Sequence, residues 1–192
     1  MIAIVDYDSG NLFSVGCALR RLGAEYIVTS LGDEIAMADR VILPGVGCAD
    51  VAMERLKERD LVEVLQRVQR PLLGVCIGMQ LMCEYSAEGD TSCLGIFHTK
   101  VKRLEGDIKI PEMGWNTIEE LKGPLFRDIA PSEWVYYVHS YAADISSETI
   151  ARTTYGMQFS AALGRDNFFG TQFHPEKSGS TGERILKNFL EL

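Results

Sequence analysis

In the first half of the chain, short apolar runs alternate with longer segments in which apolar side chains recur every three or four residues. The apolar runs predict β-strands over residues 2–6, 25–29, 41–43 and 70–75. The periodic segments predict helices over residues 11–22, ended by Gly23, and over residues 49–69, with a break near Asp60. Such alternation is typical of right-handed βαβ units, and it predicts a parallel sheet with helices on both faces.

From Leu94 onward the pattern changes to strand-like segments separated by short turns. Strands are predicted over residues 94–97, 100–104, 117–121, 134–138, 149–154, 159–163 and 168–173. Arg165-Asp166-Asn167 is typical of a hairpin turn, and residues 183–190 predict a closing helix. Because there is no internal repeat or low-complexity linker, we predict a single domain over residues 1–192. The predicted fold class is α/β: an open mixed sheet, parallel at its centre, flanked by helices and extended by antiparallel strands.

Composition and charge narrow the range of functions. The chain has 192 residues, of which 46% are hydrophobic, and this is enough for one full core. The formal net charge of -8 argues against nucleic acid and anionic membranes as partners. Its five cysteines are scattered without a Cys-x-x-Cys pair, so we expect neither a disulfide framework nor a zinc site. We also expect no other metal and no cofactor. No leader precedes the first predicted strand and no apolar stretch reaches membrane-spanning length, so a reduced, cytoplasmic protein is expected.

Gly74-Val75-Cys76-Ile77-Gly78 places a cysteine at a sharp turn between a predicted strand and a predicted helix that residues 79–82 open. A nucleophile at such a turn projects its side chain, and the flanking glycines leave room for backbone strain and for a substrate. The free N–H groups at the start of the helix favour a thiolate. The alternative is a structural cysteine buried in a tight turn.

A second candidate motif, around His174 and Glu176, follows the last predicted strand. The two residues are two positions apart at the end of an extended segment, so both side chains are predicted on one face. A carboxylate there can accept the Nδ1 proton of the imidazole, which is the orienting role of the third member of a nucleophile–base–acid triad. The sequence therefore predicts a catalytic triad of Cys76, His174 and Glu176.

These two motifs, GVCIGMQ around Cys76 and QFHPE around His174, resemble a triad-type (class I) glutamine amidotransferase, whose fold is flavodoxin-like. Four further stretches narrow the resemblance: DYDSGN at residues 6–11, PGVG at 44–47, MGWN at 113–116 and YVHSY at 137–141. The set is similar to the glutaminase subunits of imidazole glycerol phosphate synthase, an enzyme of histidine biosynthesis. The resemblance covers essentially the whole chain.

The resemblance implies hydrolysis of glutamine to glutamate and ammonia through a thioester on Cys76, with His174 as acid and base and Glu176 holding the ring. The oxyanion donors would be the backbone N–H of Ile77 and an N–H of the glycine-rich turn, from Val46 or Gly47. In a chain without the cysteine turn, the glycine-rich segment would be an ordinary tight turn after a strand.

For the substrate, the resemblance points to Glu88 as the carboxylate that binds the α-ammonium group of glutamine, with help from Gln80. Ser140 and Tyr141 would supply main-chain contacts. The alternative to Glu88 is Glu84, expected on the same helix, which would then be a solvated surface acid.

Two other histidines are weighed against His174. His139 is the rival base, but no carboxylate lies two residues away, so we assign it to the wall of the substrate site. His98 is expected to be structural.

Ammonia in neutral water is mostly protonated and no longer nucleophilic, so an enzyme that uses it must pass it directly to the next active site. This need implies a partner chain, and the resemblance identifies it as the cyclase subunit, a (β/α)-barrel, in a heterodimer. Asn11, Trp115, Tyr136 and Lys177 are the predicted docking residues, and the alternative for Trp115 is an ordinary buried aromatic.

Three other functions remain open. The first is a glutaminase that serves anthranilate or GMP synthesis, against which the MGWN stretch argues. The second is a cysteine peptidase or stress protein with a similar cysteine turn. The third is an interaction subunit with a vestigial triad, although all three triad positions hold chemically competent residues.

Overall fold

The computed structural model describes residues 1–8 and 11–192; Ser9 and Gly10, part of the predicted polar turn after the first strand, lie outside the described residues. The strands are β1 (Ile2–Val5), β2 (Tyr26–Thr29), β3 (Arg40–Leu43), β4 (Leu72–Val75), β5 (Cys83–Ser86), β6 (Thr91–Ser92), β7 (Phe97–Arg103), β8 (Glu112–Ile118), β9 (Glu133–His139), β10 (Tyr141–Ala143), β11 (Thr149–Tyr155), β12 (Met157–Arg165) and β13 (Phe168–Thr171). The helices are α1 (Leu12–Arg21), α2 (Gly32–Met37), α3 (Ala49–Glu58), α4 (Leu61–Gln66), α5 (Ile77–Leu81) and α6 (Gly179–Leu190).

The central sheet has the strand order β11-β12-β13-β4-β3-β1-β2 among the described residues. Its strands from β13 to β2 are parallel, and β11 and β12 extend it in antiparallel pairing. Every residue of β1 and β4 is buried, as expected for central parallel strands covered on both faces. The predicted mixed α/β sheet is confirmed, and the hairpin turn predicted at Asp166 joins β12 to β13.

Two smaller sheets accompany the central one in the described part of the chain: β10-β7-β5-β6, and the antiparallel pair β8-β9. We predicted a single sheet, so the prediction missed these two. The β8–β9 ribbon, as we call this pair, places Met113, Trp115, Tyr136 and Trp134 on its outer face, and its buried side chains alternate with them.

The helix predicted after Cys76 is much shorter than expected, and Glu84 does not lie on it. The helix ends at Leu81, and Glu84 lies in β5, which pairs with β6 and β7. The exposure pattern of this segment, with Cys83 and Ser86 buried and Glu84 exposed, departs from the two-residue alternation of a regular strand, and the pairing of β5 with β7 shifts register between Cys83 and Tyr85. Glu88, two residues beyond β5, is not helical either.

Other boundaries differ for identifiable reasons. Of the strand predicted over residues 94–97, only Phe97 is in a strand, because the N–H groups of Leu94, Gly95 and Ile96 donate to carbonyls at the end of α5 and the start of β5. The strand predicted over 117–121 begins earlier, at Glu112, and ends at Ile118. Four elements were missed altogether: α2, β5, β6 and β10. In the described part of the chain, no helix has both the length and the apolarity needed to cross a membrane.

Candidate active site

Cys76 occupies a strained turn at the carboxyl end of β4, in the middle of the central sheet. Its backbone has φ 54° and ψ -111°, a region that residues other than glycine seldom adopt. Gly78 must be glycine, because a Cβ there would lie 1.8 Å from the carbonyl oxygen of Leu43. A Cβ at Gly74 would lie 2.7 Å from the backbone nitrogen of Met79. The two glycines therefore allow helix α5 to fold back tightly against β3 and β4.

The parallel pairing of β13 with β4 brings His174 to the same place. Thr171 pairs with Val75, so the two chains leave the sheet side by side, and the N–H of Cys76 donates to the carbonyl of Thr171 at 2.8 Å. The N–H of His174 in turn donates to the carbonyl of Tyr136 at 2.9 Å, which ties this segment to the β8–β9 ribbon. Ligand sites commonly form at the carboxyl ends of parallel strands in open α/β sheets.

His174 and Glu176 form a buried pair, each side chain being 1% exposed, and Nδ1 of His174 donates to Oε1 of Glu176 at 2.8 Å. His174 has extended backbone, as expected, but the extended segment ends there. Pro175–Lys177 form a 3-10 turn, and this turn brings the carboxylate of Glu176 back to the ring. Among the described residues, Nε2 of His174 makes no hydrogen bond of standard geometry. Cys76 is nevertheless one of the groups that raise the pKa of His174.

The electrostatics of the pair favour a charged imidazolium. Burial alone lowers the pKa of His174, but its interactions with Cys76 and Glu176, and the charges of both groups, raise that pKa to about 10. Burial acts to raise the pKa of Glu176, but the hydrogen bond and charge of His174, joined by Asn11, bring it below its ordinary value. At neutral pH the ring therefore carries a proton and the carboxylate does not.

Asn11, predicted as a docking residue, also reaches the triad. Its Nδ2 donates to Oε1 of Glu176 at 2.6 Å and lies 3.4 Å from Nδ1 of His174. The amide and the imidazole thus share one carboxylate oxygen. This contact helps to hold Glu176 in place, and nothing in the sequence pattern indicates it.

A cavity of about 310 Å³ opens beside Cys76 and collects nearly all the predicted site residues. It is lined by Val46, Gly47, Cys76, Ile77, Gln80, Glu88, Pro111, Val138, His139, Ser140, Tyr141 and His174. The predicted oxyanion donors, substrate-binding residues, nucleophile and base therefore share one cavity. Glu176 does not line it, as expected for a residue that acts through the ring of His174.

The candidate oxyanion donors lie on both sides of the nucleophile. Ile77 is the first residue of α5, directly after Cys76, and residues 46–47 follow β3, the neighbour of β4. Gly47 has φ 98°, so glycine suits this position. The two backbone segments face one cavity, as a pair of donors for one oxygen must.

The polar side chains of the cavity are connected by hydrogen bonds. Nε2 of Gln80 donates to the carbonyl of Tyr141 at 2.8 Å and to Oε1 of Gln172 at 3.0 Å, and Nε2 of Gln172 lies 3.8 Å from the sulfur of Cys76. Oε1 of Gln80 is buried and has no partner among residues 1–8 and 11–192. Gln80 therefore has an acceptor that no described residue uses.

Glu88 is the acid of the cavity, whereas Glu84 is exposed and does not line it. Oε2 of Glu88 accepts the N–H of Ala49 at 3.0 Å, which fixes the carboxylate at the start of α3. Burial raises the pKa of Glu88, the N–H of Ala49 opposes this, and the charge of Asp50 adds to the increase. A cationic ligand group would offset that burial.

No carboxylate lies two residues from His139 in the sequence, but the fold supplies one from further away. A carboxylate does contact it: Nε2 of His139 lies 2.9 Å from Oε2 of Glu112, a residue that the sequence did not single out. Nδ1 of the same ring donates to the carbonyl of Tyr141 at 2.9 Å. Because both ring nitrogens are engaged, His139 has none free to face the sulfur.

The remaining predicted docking residues lie on or beside the β8–β9 ribbon. Trp115 is 51% exposed, which argues against the buried-aromatic alternative, and its ring meets that of Tyr136 edge-on at 6.0 Å. Lys177 is exposed at the end of the 3-10 turn that carries Glu176. His98 is exposed near Glu148 and Arg165, away from the cavity.

The fold and site define the class of this protein. The sequence profile of the family "Glutamine amidotransferase class-I" matches residues 3–192, so the chain belongs to that family. The structure is similar to PurLQS from Thermotoga maritima, with a TM-score of 0.74, 17% identity, and coverage of 99% of this chain and 97% of that one. At this identity the likeness supports the fold alone.

Within that class, the relatives narrow the assignment. A Bacteroides fragilis protein named "Imidazole glycerol phosphate synthase subunit HisH" is 52% identical over 194 residues, covering 100% of this chain and 99% of its own. A Bacillus cereus protein of the same name is 51% identical over 195 residues, covering 98% of this chain and 93% of its own. The chain belongs to the HisH family. The resemblance predicted from the motifs is thereby confirmed, and the alternative of anthranilate or GMP synthesis is not favoured.

Proposed function

We propose that this chain is the glutaminase subunit of an imidazole glycerol phosphate synthase and hydrolyses L-glutamine to glutamate and ammonia for histidine biosynthesis. The observation that carries the proposal is the convergence of Cys76, His174 and Glu176 at the carboxyl ends of β4 and β13, beside one cavity. The names of the full-length relatives support the pathway.

In the first half of the reaction, the sulfur of Cys76 attacks the side-chain amide carbon of glutamine. The proton held by the Cys76–His174 pair passes to the departing nitrogen, ammonia leaves, and a glutamyl thioester remains. The raised pKa of His174 suits this step, because the ring is protonated at neutral pH and its Nε2 is free of other polar partners among the described residues.

In the second half, neutral His174 takes a proton from water as the water attacks the thioester carbon. Glutamate leaves, and the proton returns to the Cys76–His174 pair. Both halves pass through an oxyanion, for which the N–H groups of Ile77 and of Val46 or Gly47 are the proposed donors. Loss of one such donor in other enzymes costs about 2.7–4 kcal/mol of transition-state stabilisation.

The cavity offers groups for the amino acid portion of glutamine. Glu88 would pair with the α-ammonium group, and Oε1 of Gln80 would accept a further hydrogen bond. Ser140 and Tyr141 would contribute main-chain contacts, and His139 forms part of the wall. The partly buried carboxylate of Glu88 supports this assignment over the exposed Glu84.

The partner that we propose is a cyclase subunit with a (β/α)-barrel, forming a heterodimer in the cytoplasm. Ammonia must reach the cyclase before bulk water protonates it, so the docking face must lie beside the triad. The outer face of the β8–β9 ribbon meets this requirement, because the backbone carbonyl of its Tyr136 accepts a hydrogen bond from the N–H of His174. Asn11, Trp115, Tyr136 and Lys177 are the proposed contacts, within a single domain over residues 1–192.

The nucleophile is tested by labelling. A glutamine-like diazo-ketone should modify Cys76 and none of Cys17, Cys48, Cys83 or Cys93, as read by peptide mass spectrometry. Cys76→Ala should abolish ammonia release from glutamine in the cyclase complex, while the complex still makes product from added ammonium. Ammonia release that survives Cys76→Ala would overturn the proposal.

The pathway is tested by complementation. The chain, expressed with its cognate cyclase, should rescue a strain whose histidine-pathway glutaminase is deleted. It should not rescue strains that lack the glutaminase of anthranilate or GMP synthesis. Rescue of either of those strains instead would redirect the assignment to another synthase.

A further inference from the structure

Glu112 and His139 form a second buried acid–imidazole pair, outside the triad. The two residues face each other across the end of the β8–β9 ribbon, and their side chains are 4% and 2% exposed. The triad chemistry uses neither of them. Ribbon and cavity meet here, because Pro111 and His139 both line the cavity.

The hydrogen bonds of this pair require one shared proton. Nδ1 of His139 faces a carbonyl and must donate to it, so Nδ1 carries a hydrogen. Nε2 faces Oε2 of Glu112 at 2.9 Å, and two lone pairs cannot meet at that distance without a proton between them. Whether the ring or the carboxyl group holds that proton, the pair as a whole is neutral, which makes its complete burial tolerable.

The other atoms of the pair are also held in place. Oε1 of Glu112 accepts a hydrogen bond from Nδ2 of Asn116 at 2.8 Å. The ring of His139 packs against Phe159 at 5.1 Å and against Tyr137 at 5.4 Å between ring centroids. A buried network whose members are satisfied in this way fixes one geometry.

The carbonyl of Tyr141 is where this network reaches the cavity. It accepts one hydrogen bond from Nδ1 of His139 and a second from Nε2 of Gln80. Gln80 also donates to Gln172, whose amide points to the sulfur of Cys76. The peptide at Tyr141 is thus clamped between the Glu112–His139 pair on one side and the nucleophile's own neighbours on the other.

We propose that Glu112 and His139 are positioning residues that fix the Ser140–Tyr141 wall of the glutamine site relative to Cys76. The inference rests on the proposed function, in which this wall contacts glutamine. It adds a residue, Glu112, that reaches the substrate only through His139 and the backbone of Tyr141.

The experiment compares Glu112→Ala with Glu112→Gln in the cyclase complex, with glutamine as substrate. Alanine leaves Nε2 of His139 buried without a partner, so the wall loosens, and KM for glutamine should rise about tenfold or more, with a smaller fall in kcat. Glutamine at position 112 can donate its Nε2–H to a neutral ring and keep Asn116 bonded, so KM should stay within about threefold of the wild type. Activity with added ammonium should be unchanged in both variants.

Tyr137→Phe is the matched control. It removes another buried hydrogen bond from the same ribbon, the 2.7 Å contact with Oγ1 of Thr153, but leaves the cavity wall untouched. It should lower the thermal unfolding midpoint without raising KM. If Tyr137→Phe and Glu112→Ala raise KM equally, or if Glu112→Gln is as impaired as Glu112→Ala, the positioning role is overturned.

The nitrogen-15 shifts of the His139 ring give a readout that a structural role alone would not move. In the wild type, Nδ1 should show a bound proton, and the Nε2 shift should differ from that in Glu112→Gln, where Nε2 only accepts a hydrogen bond from the new amide. Equal Nε2 shifts in the two proteins, or an unprotonated Nδ1 in the wild type, would contradict the shared proton. The proposed function itself would fail differently, through glutamine turnover that survives Cys76→Ala.

Discussion

At the scale of single residues, the proposed triad has a contact from outside its own motifs. Glu176 is held by the ring of His174 and also by Asn11, whose amide shares the same carboxylate oxygen. An orienting carboxylate is effective only if it cannot rotate away from the imidazole. Asn11 therefore connects the start of α1, a segment predicted to meet the partner, with the acid of the triad.

Replacing Asn11 should slow the chemistry at Cys76 in the isolated subunit. Asn11→Ala should reduce the rate of labelling by the diazo-ketone about tenfold, because Glu176 loses one of its hydrogen bonds. Asn11→Asp should reduce it further, since a second carboxylate would repel the first. Mass spectrometry of the Cys76 peptide over time measures both rates, and unchanged labelling in both variants would exclude the role of Asn11.

The His174–Glu176 pair should also make stability depend on pH. The pKa of His174 is raised to about 10 from an ordinary value of 6.5, so its contribution is complete below about pH 6.5 and is lost as pH rises through about 10. The wild type should thus lose stability relative to His174→Gln between pH 7 and pH 10.5. Thermal unfolding of both proteins across that range measures the difference, which a constant offset would contradict.

At the scale of elements, the sequence predicted the parts of the fold whose pattern is local. The buried runs of β1 and β4 and the periodic face of α1 lie where expected. A strand buried on both faces is a continuous apolar run, and a helix buried on one stripe has apolar residues every three or four positions, so both can be recognised from the sequence. The segment after α5, which forms β5, was wrongly predicted as a continuation of the helix. Its apolar residues suit a helix as well as a strand, and only pairing with β7, distant in sequence, decides between them.

The same reason explains which site residues were found. Cys76, His174 and Glu176 lie in motifs whose chemistry is visible in a few consecutive letters. Glu112 acquires its role only from the register of the β8–β9 ribbon, which sets it opposite His139. That ribbon was not predicted at residues 112–116, because Gly114, with φ 143°, and the preceding Pro111 obscure the strand pattern.

Gly78 gives an element-level prediction. Gly78→Ala would place a methyl group 1.8 Å from the carbonyl oxygen of Leu43, so either α5 or β3 must move. We expect a loss of about 3 kcal/mol or more in the free energy of unfolding, measured in urea, and loss of labelling at Cys76. Gly32→Ala is the control, since its new methyl group meets only a side chain, Val64, at 3.1 Å. Equal effects would mean that the turn tolerates a Cβ.

At the scale of the whole molecule, one exposed face combines aromatic side chains with proximity to the triad. The outer face of the β8–β9 ribbon carries Met113, Trp115 and Trp134, which are 66%, 51% and 57% exposed. Exposed tryptophans on one strand pair are typical of an interaction surface, and their burial against a partner dominates binding energy in many complexes.

Trp115→Ala should weaken association with the cyclase by about thirtyfold, as expected for a central aromatic anchor. Trp134→Ala is the matched control, because it removes an indole of similar exposure from the same face. Trp115 pairs with Tyr136, a proposed contact, whereas Trp134 pairs with Thr117, which is not one. Its effect should be less than about threefold. Titration calorimetry measures both, and a reversed order would move the docking site along the ribbon.

The backbone of Cys76 has a consequence for how such a protein can change over generations. A residue other than glycine at φ 54° and ψ -111° holds a conformation that costs of order 1–3 kcal/mol. Glycine would adopt it freely, so Cys76→Gly would yield a chain that folds more firmly and does nothing to glutamine. Selection for stability alone would favour glycine at this position. The cysteine is therefore expected to be maintained by selection for the proposed activity.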